Sequence, residues 1–249
     1  MDFEGKVLFA TGGGSGIAAA TARRFAAGGG RVAVVDLDPA KAEEVASGID
    51  GAIGLGGDVA DESSVVAAIE ATRSQLGRVD CVLNAAGHAA FGPIEEWTLE
   101  SWHRMMAVHT GGTFLVCKHV LPIMRAQGGG SIVNVASTAA LVANNNNSPY
   151  GAAKGAIISF SRQLAREGAP DIRVNSVAPG RVRTGMTEPL FAGRGDTAEE
   201  GAIRFGQANM QLRVADPDEL AAPICFLLSD LASFITGALL VVDGGETAL

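Results

Sequence analysis

The sequence predicts a single α/β domain, a doubly wound parallel sheet with helices on both faces. Three observations carry this. Short runs of Val, Ile and Leu alternate along the chain with longer, alanine-rich segments, the pattern of repeated strand–helix units. Those runs are continuously apolar rather than alternating, which suits strands buried on both faces. Finally, 249 residues with no linker and no internal repeat suit one large domain, residues 1–249, with ample core.

The elements follow in order. Val7 to Ala10 is a first strand, a glycine cluster follows, and Ile17 to Ala27 reads as a helix stopped by Gly28-Gly29-Gly30. Arg31 to Val35 is a second strand, and a helix to Ser47 carries Pro39 near its first turn, where proline is tolerated. Ala52 to Gly57 is a weaker strand. Asp61-Glu62-Ser63 opens a helix to Leu76, with acids at the positive end of its dipole. Cys81 to Leu83 is a strand. Leu99 to Ala126 is one long helical stretch, and Gly111-Gly112 in its middle points to close packing. Ser131 to Val135 is a strand, Tyr150 to Glu167 a helix, Ile172 to Val177 a strand, Asp218 to Ser229 a helix and Leu239 to Val242 a last strand. Residues 180–213 show no clear periodicity. A loop of that size suggests a functional lid, placed at residues 185–213.

Composition excludes several functions. Hydrophobic residues make up 47% and charged residues 18%, the reverse of a disordered chain. The net charge of −8 and the lack of any Lys/Arg run argue against nucleic-acid binding. Apolar stretches fall short of a bilayer span, and the acidic start Met1-Asp2-Phe3-Glu4-Gly5 is unlike a signal peptide. Cys81, Cys117 and Cys225 form no CxxC pair and read as small buried hydrophobes. No His/carboxylate spacing suggests a metal. Together these features lead to the expectation of a soluble protein in a reducing, cytoplasmic compartment.

The first strand runs into Thr11-Gly12-Gly13-Gly14-Ser15-Gly16-Ile17-Ala18 and then a helix. Glycines there let the backbone approach a pyrophosphate, and free N–H groups at a helix start attract its charge. Gly12, Gly14, Ser15, Gly16 and Ile17 are therefore cofactor candidates. Asp36 ends the second strand twenty residues after Gly16, the distance of an acid that accepts from the adenosine ribose hydroxyls. A carboxylate repels a 2′-phosphate, Leu37 follows it, and neither Gly14 nor Ser15 is basic. With no evident Arg or Lys to hold NADP, the expectation is NAD.

The ordered motifs resemble the short-chain dehydrogenase/reductase family in its compact form: Thr11-Gly12-x-x-x-Gly16-Ile17-Ala18, Asp58-Val59, Asn84-Ala85-Ala86-Gly87, Ser137, Tyr150-Gly151-Ala152-Ala153-Lys154, Pro179-Gly180-x-Val182-x-Thr184 and Asp243-Gly244-Gly245. Ser137 precedes Tyr150 by thirteen residues. The resemblance covers essentially the whole chain. It implies a Rossmann fold, an NAD(H)-dependent oxidoreductase acting on a secondary alcohol or its ketone, and a homotetramer in contact through the Leu99–Ala126 and Tyr150–Glu167 helices. It further implies that Asp58 and Val59 border the adenine, that Asn84, Ala85, Ala86 and Gly87 flank the cofactor, and that Pro179, Gly180, Val182 and Thr184 face the nicotinamide. The family also uses Asn84 to tie strands, and Asp243-Gly244-Gly245 is read as structural.

Residue chemistry agrees with that reading. Tyr150 and Lys154 are four apart and share a helix face. A free phenol ionises near pH 10. A neighbouring ammonium and the oxidised nicotinamide are expected to lower that value toward working pH, making Tyr150 an acid/base, and Lys154 is expected to hold the nicotinamide ribose as well. Ser137, at a strand end, is placed to hydrogen-bond the reacting oxygen.

One position departs from the family pattern. Where the family has an asparagine that supports a proton relay from the lysine, this chain has His109. Either His109 merely fills the site, or it joins the relay and titrates near neutral pH. His88 is read as a pocket-edge or a surface-loop residue. Arg181 is read as a solvated loop residue, with pairing to an anionic substrate as the alternative. His103 and His119 are read as solvated, and Trp97, Trp102 and Phe114 as core or subunit packing. Two rival functions stand: an NADPH-dependent ketone or 3-oxoacyl reductase, and a nucleotide-binding protein with little catalysis.

Overall fold

A computed structural model describes residues 1–191 and 194–248. Its elements are β1 (Val7–Thr11), α1 (Gly16–Ala27), β2 (Arg31–Asp36), α2 (Pro39–Ser47), β3 (Ile53–Gly56), α3 (Glu62–Leu76), β4 (Cys81–Asn84), α4 (Leu99–Met106), α5 (Gly112–Ala126), β5 (Gly130–Val135), α6 (Ser148–Gly168), β6 (Ile172–Pro179), α7 (Ala198–Gly206), α8 (Pro217–Leu228) and β7 (Leu239–Val242). The strands pair in the order β3-β2-β1-β4-β5-β6-β7, every pair parallel. Strand order reverses between β1 and β4, so a crevice opens beyond their C-terminal ends. This is the expected doubly wound architecture.

Alternate residues of a strand face opposite sides, and β1 feeds two cores. Leu8 and Ala10 pack with Phe25 of α1, Val45 of α2 and Leu220 and Ile224 of α8. Val7 and Phe9 pack with Ile69 of α3, Val116 and Val120 of α5 and Leu164 of α6. Because both faces are covered, runs such as Val32-Ala33-Val34-Val35 are fully buried. Helix starts are capped locally. Asp61 accepts the N–H groups of Ser63 and Ser64, and Asp38 accepts that of Ala40. Cys81, Cys117 and Cys225 are buried, as expected. Among the described residues no helix is long and apolar enough to cross a membrane.

One expectation is refined and one needs correction. The stretch from Leu99 to Ala126 is helical throughout, with α4 and α5 joined by a π turn at Ala107–Gly111. The glycine pair marks that place, and a Cβ on Gly112 would lie 2.7 Å from Cγ2 of Val59, so the close packing read from the sequence is real. Likewise residues 180–213 are not all loop, because they contain a 3₁₀ turn at Glu188–Leu190 and the helix α7. Two glycines weakened the periodicity of α7. Its start is held by Thr197, which accepts the N–H of Glu200, and Phe205 packs on Phe191 with ring centroids 5.6 Å apart. Ala192 and Gly193, inside the expected lid, lie outside the described residues.

Candidate active site

A cleft of about 510 Å³ lies across the C-terminal ends of the central strands, with Asp36 on its wall toward one end and Ser137, Tyr150 and Lys154 on its wall toward the other. The glycine turn forms the floor between them. Gly12 and Gly16 have φ of 65° and 55°, a backbone region that glycine adopts without strain. A Cβ on Gly12 would lie 2.9 Å from the Ala86 backbone, and one on Gly16 would lie 3.0 Å from Thr184. The turn therefore has no room for side chains. Ser15, the N-cap of α1, makes no side-chain capping bond, which leaves the helix-start N–H groups directed at the cleft. An anionic pyrophosphate fits this donor set. Ile17, Ala85, Gly87, Pro179, Gly180, Val182 and Thr184 also line the cleft. The residues present thus fit a dinucleotide.

Asp36 is rigidly held. Its Oδ2 accepts the Gly14 N–H at 3.0 Å, and its Oδ1 accepts that of Asp38 at 3.0 Å. Gly14 therefore serves by orienting the acid. An adjoining cavity of about 220 Å³ includes Leu37, Asp58, Val59 and Ala86 in its wall; Asp58 and Val59 are the pair expected to border an adenine. No local pattern announces Arg104, which reaches this cavity from α4 and approaches Asp58 at 3.6 Å. The same is true of Lys41, which lines the main cleft together with Asp36. The expectation that no lysine stands near the acid is corrected. Lys41 is five residues beyond Asp36, and the turn into α2 folds it back.

At the other end, the 3₁₀ turn after β5 starts at Ser137, whose Oγ accepts the Ala139 N–H at 3.1 Å. Lys154 is 4% exposed. Its Nζ donates to the Val135 carbonyl at 2.8 Å and lies 5.6 Å from the centroid of the Tyr150 ring. Burial pushes Lys154 down to about 7. Burial pushes the Tyr150 phenol up to about 12, against a smaller lowering by Ser137. The lowering expected from the ammonium does not set the direction; desolvation does.

His109, in the π turn, is fully buried. Its Nε2 lies 3.0 Å from the carbonyl oxygen of His88 and 3.2 Å from its amide nitrogen. The ring meets Tyr150 edge-on, with centroids 5.3 Å apart, and Nδ1 has no partner. Burial, reinforced by the nearby Lys154, lowers His109 to about 3. The ring is neutral at working pH, so the reading in which it titrates near neutrality does not fit. His109 instead fastens the Gly87–His88 backbone beside Tyr150. His88 lines both cavities.

Several other residues are placed. Asn84 lies beneath the cleft, with its Nδ2 donating to Asn134 Oδ1 at 2.9 Å, so it ties β4 to β5. Thr11 Oγ1 accepts the N–H groups of Ala85 and Ala86 and binds β1 to the same loop. Both readings of Arg181 are corrected. It pairs with Glu246 at 3.0 Å, its guanidinium lies 4.3 Å from the Phe205 ring centroid, and it is absent from the cleft wall. His119 is likewise engaged, 2.8 Å from Glu62. Asp243 accepts the N–H groups of Gly245 and Thr247 and shapes the turn there. From the expected lid, Gly185, Met186, Thr187 and Pro189 reach the cleft.

Comparisons with known proteins agree with this geometry. A family model described as Enoyl-(Acyl carrier protein) reductase matches residues 12–247. D-threitol dehydrogenase from Mycolicibacterium smegmatis is 42% identical over 250 residues, which span 98% of this chain and 94% of that protein. Meso-2,3-butanediol dehydrogenase from Serratia marcescens is 36% identical, over 100% of this chain and 97% of that one. The crystal structure of a 3-ketoacyl-(acyl-carrier-protein) reductase from Brucella melitensis complexed with NADH superposes with a TM-score of 0.90 at 35% identity, covering 98% of this chain and 99% of that one.

Proposed function

Because the chain belongs to the short-chain dehydrogenase/reductase family and is an alcohol dehydrogenase/carbonyl reductase with a nicotinamide cofactor, we propose that it interconverts an uncharged vicinal diol and its hydroxyketone using NAD(H). The observation that carries this reading is the convergence of Ser137, Tyr150 and Lys154 at one end of a cleft whose other end presents Asp36.

The bound nicotinamide supplies the hydride acceptor or donor. The chain's own residues handle the oxygen and its proton. Ser137 donates to the reacting oxygen and steadies the charge that develops there. Tyr150 Oη gives the proton in ketone reduction and takes it in alcohol oxidation. Lys154 holds the ribose hydroxyls, and its charge favours the phenolate when the tyrosine must act as base. His109 is a positioning residue, neutral and fixed to His88. The Gly185–Pro189 segment covers the substrate and excludes water.

The substrate class rests on what lines that end. Besides Lys154, which is bonded to Val135, it offers His88, Ser137, Thr187, Ala89, Met186 and Pro189. Burial, aided by Arg104, lowers His88 and disfavours its charged form. With Arg181 tied to Glu246, no free cation faces the substrate among the described residues. Two relatives named for a sugar alcohol and a diol support a neutral hydroxylated substrate.

A panel of diols, simple secondary alcohols, hydroxy acids and a 3-oxoacyl thioester, followed by NADH and NADPH absorbance, tests the proposal. The highest kcat/KM is expected for a diol with NAD. Preferred reduction of the 3-oxoacyl thioester by NADPH would overturn it. A homotetramer in contact through α4, α5 and α6 is also proposed. It is supported by the exposed Leu99 and Phe114 on those helices and is checked by light scattering. A cytoplasmic setting is supported by three free thiols.

A further inference from the structure

Two buried side chains below the cleft have no part in the mechanism above. We propose that Asn134 of β5 and Ser161 of α6 are positioning residues, whose hydrogen bond sets the register of α6 on β5 and so aligns Tyr150 and Lys154 with Ser137. This rests on the reading of those three residues as the catalytic set.

The set is drawn from two elements. Ser137 follows the end of β5, whereas Tyr150 and Lys154 stand in the first two turns of α6. A slip of α6 along β5 would carry the phenol and the ammonium away from the Ser137 hydroxyl together, with their own spacing unchanged. Ile157 and Ile158 of α6 pack with Ala136, just beyond β5. Such apolar contact is non-directional, and it fixes the separation of helix and strand more than their register.

Two polar ties cross the same interface. Lys154 Nζ donates to the Val135 carbonyl at 2.8 Å, but its flexible four-carbon stem leaves slack, and the same ammonium has to serve the ribose. Ser161 lies seven residues further on, about two helical turns, and so shares the face of Lys154. Its Oγ accepts from Asn134 Nδ2 at 2.8 Å and donates to the Ile157 carbonyl at 2.7 Å. Asn134 Oδ1 in turn accepts from Asn84 Nδ2 at 2.9 Å. The chain of bonds thus runs from β4, through β5, to the helix that bears the acid/base.

Asn134 and Ser161 are at most 1% exposed, so water does not compete for their bond. Both side chains are short, and the bond fixes direction as well as length. Apolar residues of similar size would fill this space without the desolvation cost. What the polar chain adds is one register.

A double-mutant cycle on turnover tests this. Wild type, Ser161→Ala, Ser137→Ala and the double variant are compared well below the Tm of each. The assay uses 2,3-butanediol and NAD, or whichever substrate and nucleotide of the panel turn over fastest. Ser161→Ala is expected to lower kcat about tenfold, with the substrate KM and the NADH dissociation constant within about threefold of wild type. In the Ser137→Ala background the same change should lower kcat no more than about threefold, because the group it aligns is gone. Ser161→Thr, which keeps the hydroxyl, should stay within about threefold of wild type.

A Ser161→Ala enzyme with a lower Tm but full kcat, or an equal loss of kcat in both backgrounds, would overturn the proposal alone. Full activity in Ser137→Ala would instead overturn the catalytic reading of that residue, and the proposal with it. If Ser161→Ala fails to fold, Ser161→Cys, whose sulfur is a weak acceptor, enters the same cycle with the same non-additivity expected.

Discussion

A methyl group on Gly87 would lie 2.4 Å from Cε1 of His109, so the glycine after β4 and the histidine of the π turn are fitted to each other. Gly87→Ala should therefore cost about 1–3 kcal/mol by overpacking. Trimming the partner with His109→Ala should recover most of that cost in the double variant. Urea unfolding of the four proteins gives the coupling, expected above about 1 kcal/mol. Simple additivity would show that the loop moves aside.

Tyr150 is the one tyrosine in the sequence, so its ionisation can be read without interference from another phenol. Burial raises it to about 12. At pH 10, where a free tyrosine is about half ionised, the cofactor-free protein should show no phenolate absorbance. Tyr150→Phe should lower kcat by roughly 10²–10⁴. Retention of full activity by that variant would remove Tyr150 from the mechanism.

Lys154 predicts a conflict between stability and activity. Its value in the folded protein is about 7, against an ordinary 10.5. The unfolded chain therefore holds this proton more readily between those values, and the buried ammonium costs stability in full below pH 7. That cost fades as pH rises to 10.5. Lys154→Met should compare more favourably with wild type in Tm at pH 6 than at pH 10, while kcat/KM falls by at least about 10². An equal difference in Tm at both pH values would show that the lysine carries no such penalty.

His109 gives the opposite test. Held at about 3 against an ordinary 6.5, it contributes stability above pH 6.5 that is lost as pH falls toward 3. His109→Asn should flatten the fall in Tm between pH 7 and pH 4. The shape of the kcat profile from pH 6 to pH 8 should not change, since a neutral ring has no proton to lose there. A shifted profile would restore the titrating role.

The fold was legible because parallel strands buried on both sides leave continuous apolar runs, of which Val32 to Val35 is the clearest. Tyr150, Lys154 and Ser137 were legible because their spacing fixes a shared helix face and a strand end. What escaped depends on how the chain folds back. Lys41 comes beside Gly14 only through the turn into α2. Arg181 and Glu246 are 65 residues apart yet paired, and no local pattern announces that. The helix α7 was hidden by Gly201 and Gly206, and the π turn because hydrogen-bond register leaves little trace in hydrophobic periodicity.

The π turn also has an evolutionary consequence. It holds one residue more than an α-helix needs for the same turn, and each α-helical residue turns the chain by about 100°. A one-codon deletion within Ala107–Gly111 would restore an unbroken helix and rotate Leu99–Met106 by about that angle relative to α5. Arg104 would swing away from Asp58, and His109 and Thr110, which bond to His88 and to Ala153 of α6, would shift with the turn. A single insertion or deletion there would thus disturb both the wall at Asp58 and the backbone beside Tyr150.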